Sequence, residues 1–280
     1  MQTEQSTTDR VENISESSMR DFKRQLRSLE WKKIPKGIKL ALLPLMLIGL
    51  LFGPFFFIFF LAGGLLAWYA LIRHKMQAQF WNEFAAARGW SYTPNKSIDG
   101  EKALLFREGE NREALHAVTG TYHEQPFSIF EYTYTQGSGK SKTTYHYTIF
   151  EVRFSGVFPH FYLNNIASGD YIPFSEKLFL PKLSLPAEFE KQFVLYAPKQ
   201  YEIEALEVFS PDILDFFLTE KWTYDFELTD SELIISRPGH INSTAELESE
   251  LQTVQRLTDR LAPKLNRMRF AQIGDYKPTL

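Results

Sequence analysis

Followed position by position, the pattern of apolar and polar residues breaks the chain at residue 40. From Leu40 to Ile72 it runs LALLPLMLIGLLFGPFFFIFFLAGGLLAWYALI, thirty-three positions without a charged side chain. A soluble core helix rarely needs half that length, whereas each helical crossing of a bilayer takes about 20 apolar residues. One continuous helix would measure roughly 50 Å at about 1.5 Å per residue, against a hydrocarbon core of about 30 Å. Such a span would have to tilt steeply or leave part of itself outside the core. Gly53-Pro54 interrupts the run near its middle. Proline removes a backbone donor and biases its predecessor away from helix, so a tight turn fits there. The pattern therefore predicts a transmembrane hairpin over 38–73, with helices at 38–52 and 55–72. The alternative is a single span with the large following domain on the far side. Trp68-Tyr69 suits a headgroup-level aromatic anchor in either case.

The flanks of the run differ from each other. Residues 1–18 are polar and nearly free of large apolar groups, which predicts a disordered tail. Over 19–37, Phe22, Leu26 and Leu29 recur at spacings of four and three. Lys23, Arg24 and Arg27 lie among them, and Lys32 and Lys33 follow Trp31, the pattern of a basic amphipathic juxtamembrane helix. These five cations are the expected contacts to anionic lipid headgroups. Arg73, His74, Lys75 and Arg88 make the other flank basic as well. Basic flanks prefer the cytoplasmic side, and a hairpin with both termini inside satisfies both. The expected location is the cell (inner) membrane.

After the run the period changes. Met76–Arg88 is helical in composition, with Gly89 as its stop, and continues the second membrane helix into water. The stretch 76–240 reads as a soluble domain of α+β class, mainly antiparallel sheet with a few helices. Trp90–Thr93 is extended and Pro94-Asn95 is a turn. Ala117–Tyr122 leads through a turn at His123-Glu124 to the alternating strand Phe127–Tyr134. The glycine-containing loop QGSGKSK then precedes a third strand, Tyr145–Phe154. In it Phe150, Val152 and Phe154 form one face and Tyr147, Ile149 and Glu151 the other, which suits one packed and one partly wet face. Pro159 and Pro173 bracket a mixed segment. Phe189–Tyr196 follows, and Glu202–Val208 reads as strand. Ser210-Pro211-Asp212 starts a helix running to about Thr219. Trp222–Leu228 and Glu232–Ser236 form a hairpin across Thr229-Asp230-Ser231.

Over 241–280 the pattern predicts an amphipathic helix and a tail. Ser243 and Glu246 make a capping box. Leu247, Leu251, Val254, Leu257 and Leu261 form an apolar stripe that either packs on its own domain or makes a short coiled coil.

Charge and composition narrow the function. Residues 1–39 hold 9 Lys and Arg against 6 Asp and Glu, and residues 40–75 hold 2 against none. Residues 76–280 hold the remaining 20 basic and 28 acidic residues. A domain so acidic is a poor phosphate binder, which argues against nucleic acid as partner. The chain has no cysteine, excluding disulfides, thiolate metal sites and cysteine nucleophiles.

Several aromatic and structural motifs recur together: Gly120-Thr121-Tyr122 with Pro126-Phe127 and Tyr132-Thr133-Tyr134; Phe189, Phe193-Val194, Tyr196-Ala197; Glu204-Ala205; Phe209-Ser210-Pro211 with Leu214; and Phe226-Glu227-Leu228. Across residues 20–237 they resemble a family of uncharacterised bacterial membrane proteins that carry a domain of unknown function behind two membrane helices. The resemblance implies the two-helix anchor and no particular chemistry.

Catalytic motifs find little support. Gly139-Lys140-Ser141 lacks the glycine five positions earlier, where Tyr134 stands, and a strand pattern follows it, so it is not a phosphate loop. No histidine pair has i, i+4 spacing, although His116 and His146 could meet across neighbouring strands. No G-x-S-x-G elbow occurs. Glu202, Glu204 and Glu207 read as a solvated strand edge. No cofactor is expected. The chain carries 25 Phe, 13 Tyr and 5 Trp, and four of the tyrosines suggest a candidate binding face. Tyr132, Tyr134, Tyr145 and Tyr147 flank the loop bearing Lys140 and could take a peptide, glycan or lipid headgroup. The expectation is a non-enzymatic, membrane-anchored binding or scaffold module with an unknown protein or peptide partner. The alternatives are an enzyme acting on a membrane-associated substrate, or a subunit of an oligomeric assembly whose helices approach at Gly49, Gly53, Gly63 and Gly64.

Overall fold

The computed structural model describes residues 54–168 and 180–267, and leaves the side chains of 54–61 and 70–74 undescribed. The tail, the basic arm with Lys23, Arg24, Arg27, Lys32 and Lys33, the first half of the apolar run, and residues 268–280 lie outside the described residues. The chain forms two units that meet in sequence between Ala87 and Arg88.

In the first unit, helix α1 begins at Pro54, where proline's fixed φ suits a helix start. It continues without a break to Arg88, 35 residues. Gly89 then adopts φ +67°, a left-handed conformation that ends helices readily. Phe80 and Trp81 pack edge to face along the helix at 5.4 Å. Among the described residues no helix is long and apolar enough to cross a membrane; the undescribed side chains of α1, apart from Arg73 and His74, fall within the apolar run.

The second unit is an α+β domain on a seven-stranded antiparallel sheet. Its strands are β1 (Ser91–Lys96), β2 (Glu110–Tyr122), β3 (Gln125–Gln136), β4 (Thr143–Asn165), β5 (Lys182–Leu183), β6 (Phe193–Tyr196) and β7 (Asp225–Pro238). The order is β1-β2-β3-β4-β6-β5, with β7 also on β4. Among the described residues four α-helices accompany it: α2 (Ala187–Glu190), α3 (Glu202–Val208), α4 (Pro211–Thr219) and α5 (Thr244–Arg267).

Local signals place β3, the C-terminal half of β2 and the turn between them; β2 itself starts earlier than expected, at Glu110 rather than Ala117. His123 and Glu124 both have positive φ, +44° and +68°, as a two-residue hairpin with matching twist requires. Ser210 precedes α4 as its N-cap, with Pro211 at its first turn. Four other element assignments are corrected. β1 runs through Pro94-Asn95, because an edge strand tolerates a missing donor. Glu202–Val208 is helix, not strand: Ala205 and Val208 bury an i, i+3 face while Ile203 and Leu206 stay exposed.

The other two corrections concern the longest strands. β4 does not stop at Phe154 but continues through Pro159 to Asn165, 23 residues in all. β7 is one strand, not a hairpin across Thr229-Asp230-Ser231. The two pair along their length, with register shifts between Arg153, Phe158 and Phe161. Asp230, at φ +51°, sits in that irregular stretch. Turn-like residues therefore mark a shared bulge, where strands bend and a proline need not donate.

Residues directly opposite in an antiparallel ladder share a face. One face carries Tyr132 opposite Tyr147, Phe130 opposite Ile149, and Ile234 opposite Glu151. The other carries Ile129 opposite Phe150, and Leu233 opposite Val152. Neither face is wet at the centre, since Tyr147 through Val152 are all buried. This corrects the expectation of a half-solvated sheet. Helix α5 covers the second face. Its Glu250 accepts from Arg237 at 3.1 Å, and Arg237 lies opposite Thr148 on that face. Leu247, Leu251, Val254, Leu257 and Leu261 are buried, so the stripe packs on its own domain. A 3-10 turn, Leu104–Arg107, covers the first face with Leu104, Leu105 and Phe106.

Candidate binding face

The four tyrosines of the candidate face do assemble. The β3–β4 register sets Tyr132 beside Tyr147 and Tyr134 beside Tyr145. Tyr134 stacks on Tyr145 at 5.1 Å and on Tyr147 at 6.0 Å, and Tyr132 lies 6.0 Å from Tyr134. Tyr132, Tyr134 and Tyr147 are buried, however, and Tyr145 at 38% exposure is the member left open. The cover is the run Ala103-Leu104-Leu105-Phe106: Phe106 meets Tyr132 edge to face at 5.0 Å, and the Tyr132 hydroxyl donates to Leu105 O at 3.2 Å. Burial raises the pKa of Tyr132, Tyr134 and Tyr147 above the ordinary phenol value, so all three stay neutral. Lys140 stands exposed on the short turn Gly139–Ser141 at the hairpin tip.

The residue that holds the cover down, Glu227, enters the sequence reading only inside the Phe226-Glu227-Leu228 motif, with no role of its own. Glu227 on β7 is buried at 1% exposure, and its Oε1 accepts from the Leu104 backbone N–H at 2.7 Å. His160 Nε2 lies 2.6 Å from the same oxygen. A carboxylate between Phe226 and Leu228 reads as an ordinary alternating polar position; only the fold turns it inward.

A second polar group lies on the same face. Lys96 on β1 donates to Glu101 at 2.9 Å and to buried Glu151 at 2.7 Å, and sits 4.3 Å over the Phe130 ring. Burial by itself lowers the Lys96 pKa, but the two carboxylates outweigh it and the net shift is upward. Arg153 bridges Glu151 and Glu232 at 3.4 and 2.7 Å. Burial, then repulsion from Glu151 and Glu101, raises the Glu232 pKa.

Beside the roofing turn, the β1–β2 connection encloses an open groove of about 530 Å³, bordered by Asp99, Glu101, Arg107, Glu110, Asn111 and Arg112. Gly109 on its wall presses against Tyr134; an added Cβ would lie 2.4 Å from Thr135 O. The groove thus abuts the tyrosine set across Gly109.

The histidines are dispersed. β3 separates His116 from His146, so they do not form the pair that the strands suggested. His116, buried at a β2 bulge with φ +54°, has its Nδ1 2.9 Å from the Tyr92 hydroxyl. His146 packs on His240 at 4.8 Å, and His240 Nδ1 lies 3.3 Å from buried Glu131. Among the described residues no three His, Asp or Glu side chains have the geometry to hold a metal ion. Glu202, Glu204 and Glu207 lie on or beside the outer side of α3 rather than on a strand edge.

By fold, the domain belongs to the α+β class built on antiparallel sheet. No family model matches the chain, and no curated protein matches it. Among solved structures, it is similar to the mycobacterial trehalose monomycolate transport factor A, TtfA, at 13% identity. That match has a TM-score of 0.49 and covers 66% of this chain and 94% of the other.

Proposed function

We propose that the protein is a membrane-anchored, non-enzymatic binding or scaffold module, with its sheet domain at the cytoplasmic face of the cell membrane. The observation that carries this reading is the continuity of α1. Its first part, Pro54–Ile72, is the uncharged second half of the apolar run, and the same helix extends through the polar stretch to Arg88. A 35-residue helix is about 52 Å long, well beyond a hydrocarbon core of about 30 Å. Roughly 20 residues can therefore span while the rest stands in water, and only Gly89 and Trp90 then separate it from β1. The first half of the run, returning through Gly53-Pro54, completes a hairpin of the kind found in the bacterial family the sequence resembles. The basic arm then meets anionic headgroups, and the charged groove offers the domain a place to bind a partner.

The chain has no cysteine, so single introduced cysteines report topology without background. Ser6→Cys and Ser97→Cys should both react with a membrane-impermeant maleimide only after permeabilisation. Labelling of Ser97→Cys in intact cells, with Ser6→Cys protected, would overturn the hairpin and place the domain outside. Release of the chain by alkaline carbonate would overturn the anchor itself. Helix-to-helix assembly through Gly63 and Gly64, around which there is open space, predicts concentration-dependent crosslinking in detergent; a strictly monomeric chain removes it.

A further inference from the structure

The groove of the β1–β2 connection holds two opposite charges that do not neutralise each other. Glu101 is taken by Lys96 at 2.9 Å, and Glu110 lies 4.0 Å from Lys142. Asp99 differs: its Oδ2 accepts from the Ser97 hydroxyl at 3.1 Å, a neutral donor, and among the described residues it has no ion pair. Arg112 differs in the same way. Its Nη1 donates to the backbone oxygen of Phe106 at 2.8 Å, a neutral acceptor, which orients the guanidinium without cancelling its charge. An anion and a cation thus border one concavity, each fixed by a neutral partner and not paired with the other. The volume, about 530 Å³, lies within the range of small-molecule sites.

We propose that this groove binds a small zwitterionic group, with its phosphate or carboxylate on Arg112 and its ammonium on Asp99. A lone anion gains less here, because Asp99, Glu101 and Glu110 border the same groove and repel it; a lone cation meets Arg107 and Arg112. A guanidinium offers paired donors in a fixed plane, which suits the oxygens of a phosphate or carboxylate. The groove lies against the tyrosine set through Gly109, so a bound group would sit beside Tyr134's covering wall. The same chemistry is carried by an aminophospholipid headgroup and by a free phosphorylated amine.

The inference rests on reading the chain as a binding module, but it fails separately from the anchor, which the cysteine labelling tests. The full-length chain in nonionic detergent is titrated calorimetrically with O-phosphoethanolamine, inorganic phosphate and ethanolamine. Phosphoethanolamine should bind about tenfold more tightly than either half, and Arg112→Gln and Asp99→Asn should each weaken it by about tenfold or more. Asp99→Asn sits on an exposed loop and keeps the fold, so it remains informative if Arg112→Gln, which frees the Phe106 carbonyl, does not. Equal binding of phosphate alone, unchanged binding by Asp99→Asn, or no heat up to about 10 mM ligand would overturn the proposal. Repeating the titration in nanodiscs identifies the source. If phosphatidylethanolamine in the disc abolishes binding of the soluble probe where phosphatidylglycerol does not, the site takes the lipid headgroup; if neither lipid does, it takes the free compound.

Discussion

On one face of the sheet, α5 lays five aliphatic side chains, Leu247 to Leu261, along a single helical stripe. On the other, a four-residue turn closes over a stack of tyrosines and is held by a carboxylate 123 residues away in the chain. The first closure is apolar, repetitive and spread over many contacts. The second is concentrated in a few polar atoms: Glu227 Oε1 on the Leu104 N–H, and the Tyr132 hydroxyl on Leu105 O. A helix that docks by its stripe leaves nothing on its face for a ligand. A turn pinned at a few points leaves a groove at its margin, and that is where Asp99 and Arg112 lie. The proposed binding site therefore falls on the irregular side.

Substitutions can break this contrast. The largest effect is expected under the helix. Leu257→Ala should cost about 2–5 kcal/mol in denaturant unfolding, because the fully buried site cannot collapse around the cavity. It should leave the phosphoethanolamine affinity unchanged at temperatures where the domain stays folded.

Glu227→Ala comes next. It strips the Leu104 N–H and His160 of their partner, a loss of about 1–3 kcal/mol. Amide exchange should accelerate at Leu104 and Leu105 while the amides of α5 keep their protection. Uniform acceleration across both faces would show that the turn is not a separately held element.

Gly109→Ala tests the seam between groove and tyrosines. At φ +63°, with a Cβ 2.4 Å from Thr135 O, any side chain forces the backbone to move. A loss of about 1–3 kcal/mol and an altered Tyr134 ring environment by NMR are expected. A silent substitution would mean that the wall yields freely.

The smallest effect is a matter of pH. Tyr134 and Tyr147 have folded pKa values raised by burial above the unfolded phenol value of about 10. Their neutral forms therefore favour the fold fully below about pH 10, and that stability is lost as the pH rises toward the folded values. The double variant Tyr134→Phe/Tyr147→Phe should show a flatter alkaline decline in urea midpoint than the parent. Tyr224, raised by burial and then by Glu250 on the helix side, serves as the control: Tyr224→Phe should leave the tyrosine-face share of the slope in place.

Much of this architecture could be read from local pattern, and the failures have a common cause. The hairpin at His123-Glu124, the glycine loop before β4, the Ser210-Pro211 helix start and the α5 stripe each depend on a few neighbouring residues. The Ser243 cap forms as read, with Glu246 N–H donating to its hydroxyl at 3.2 Å. Glu246's own carboxylate accepts from Asn242 N–H at 3.3 Å, one residue ahead of the expected cap. By contrast, β4 is buried on both faces, so its alternation no longer marks an inside and an outside. Thr229-Asp230-Ser231 and Pro159 look like punctuation because turns and bulges draw on the same residues. The run Ala103–Phe106 was the one available signal that the tyrosines would be covered; it is too short to announce what it covers.

The amino-acid order by itself determined the uncharged run, the acidic domain after it, several strand and helix starts, and the hairpin whose alternation puts the four tyrosines on one face. These follow from free energies that neighbouring residues decide among themselves: solvation of a side chain, a capping bond, a turn's φ. Only the tertiary structure decided that three of those tyrosines are closed to water and that β4 and β7 bend together. It also decided that Glu227 faces inward, and that Asp99 and Arg112 border one groove without pairing. Each of those outcomes depends on atoms distant in the chain coming within hydrogen-bonding or van der Waals range, and no local pattern encodes which distant partner arrives.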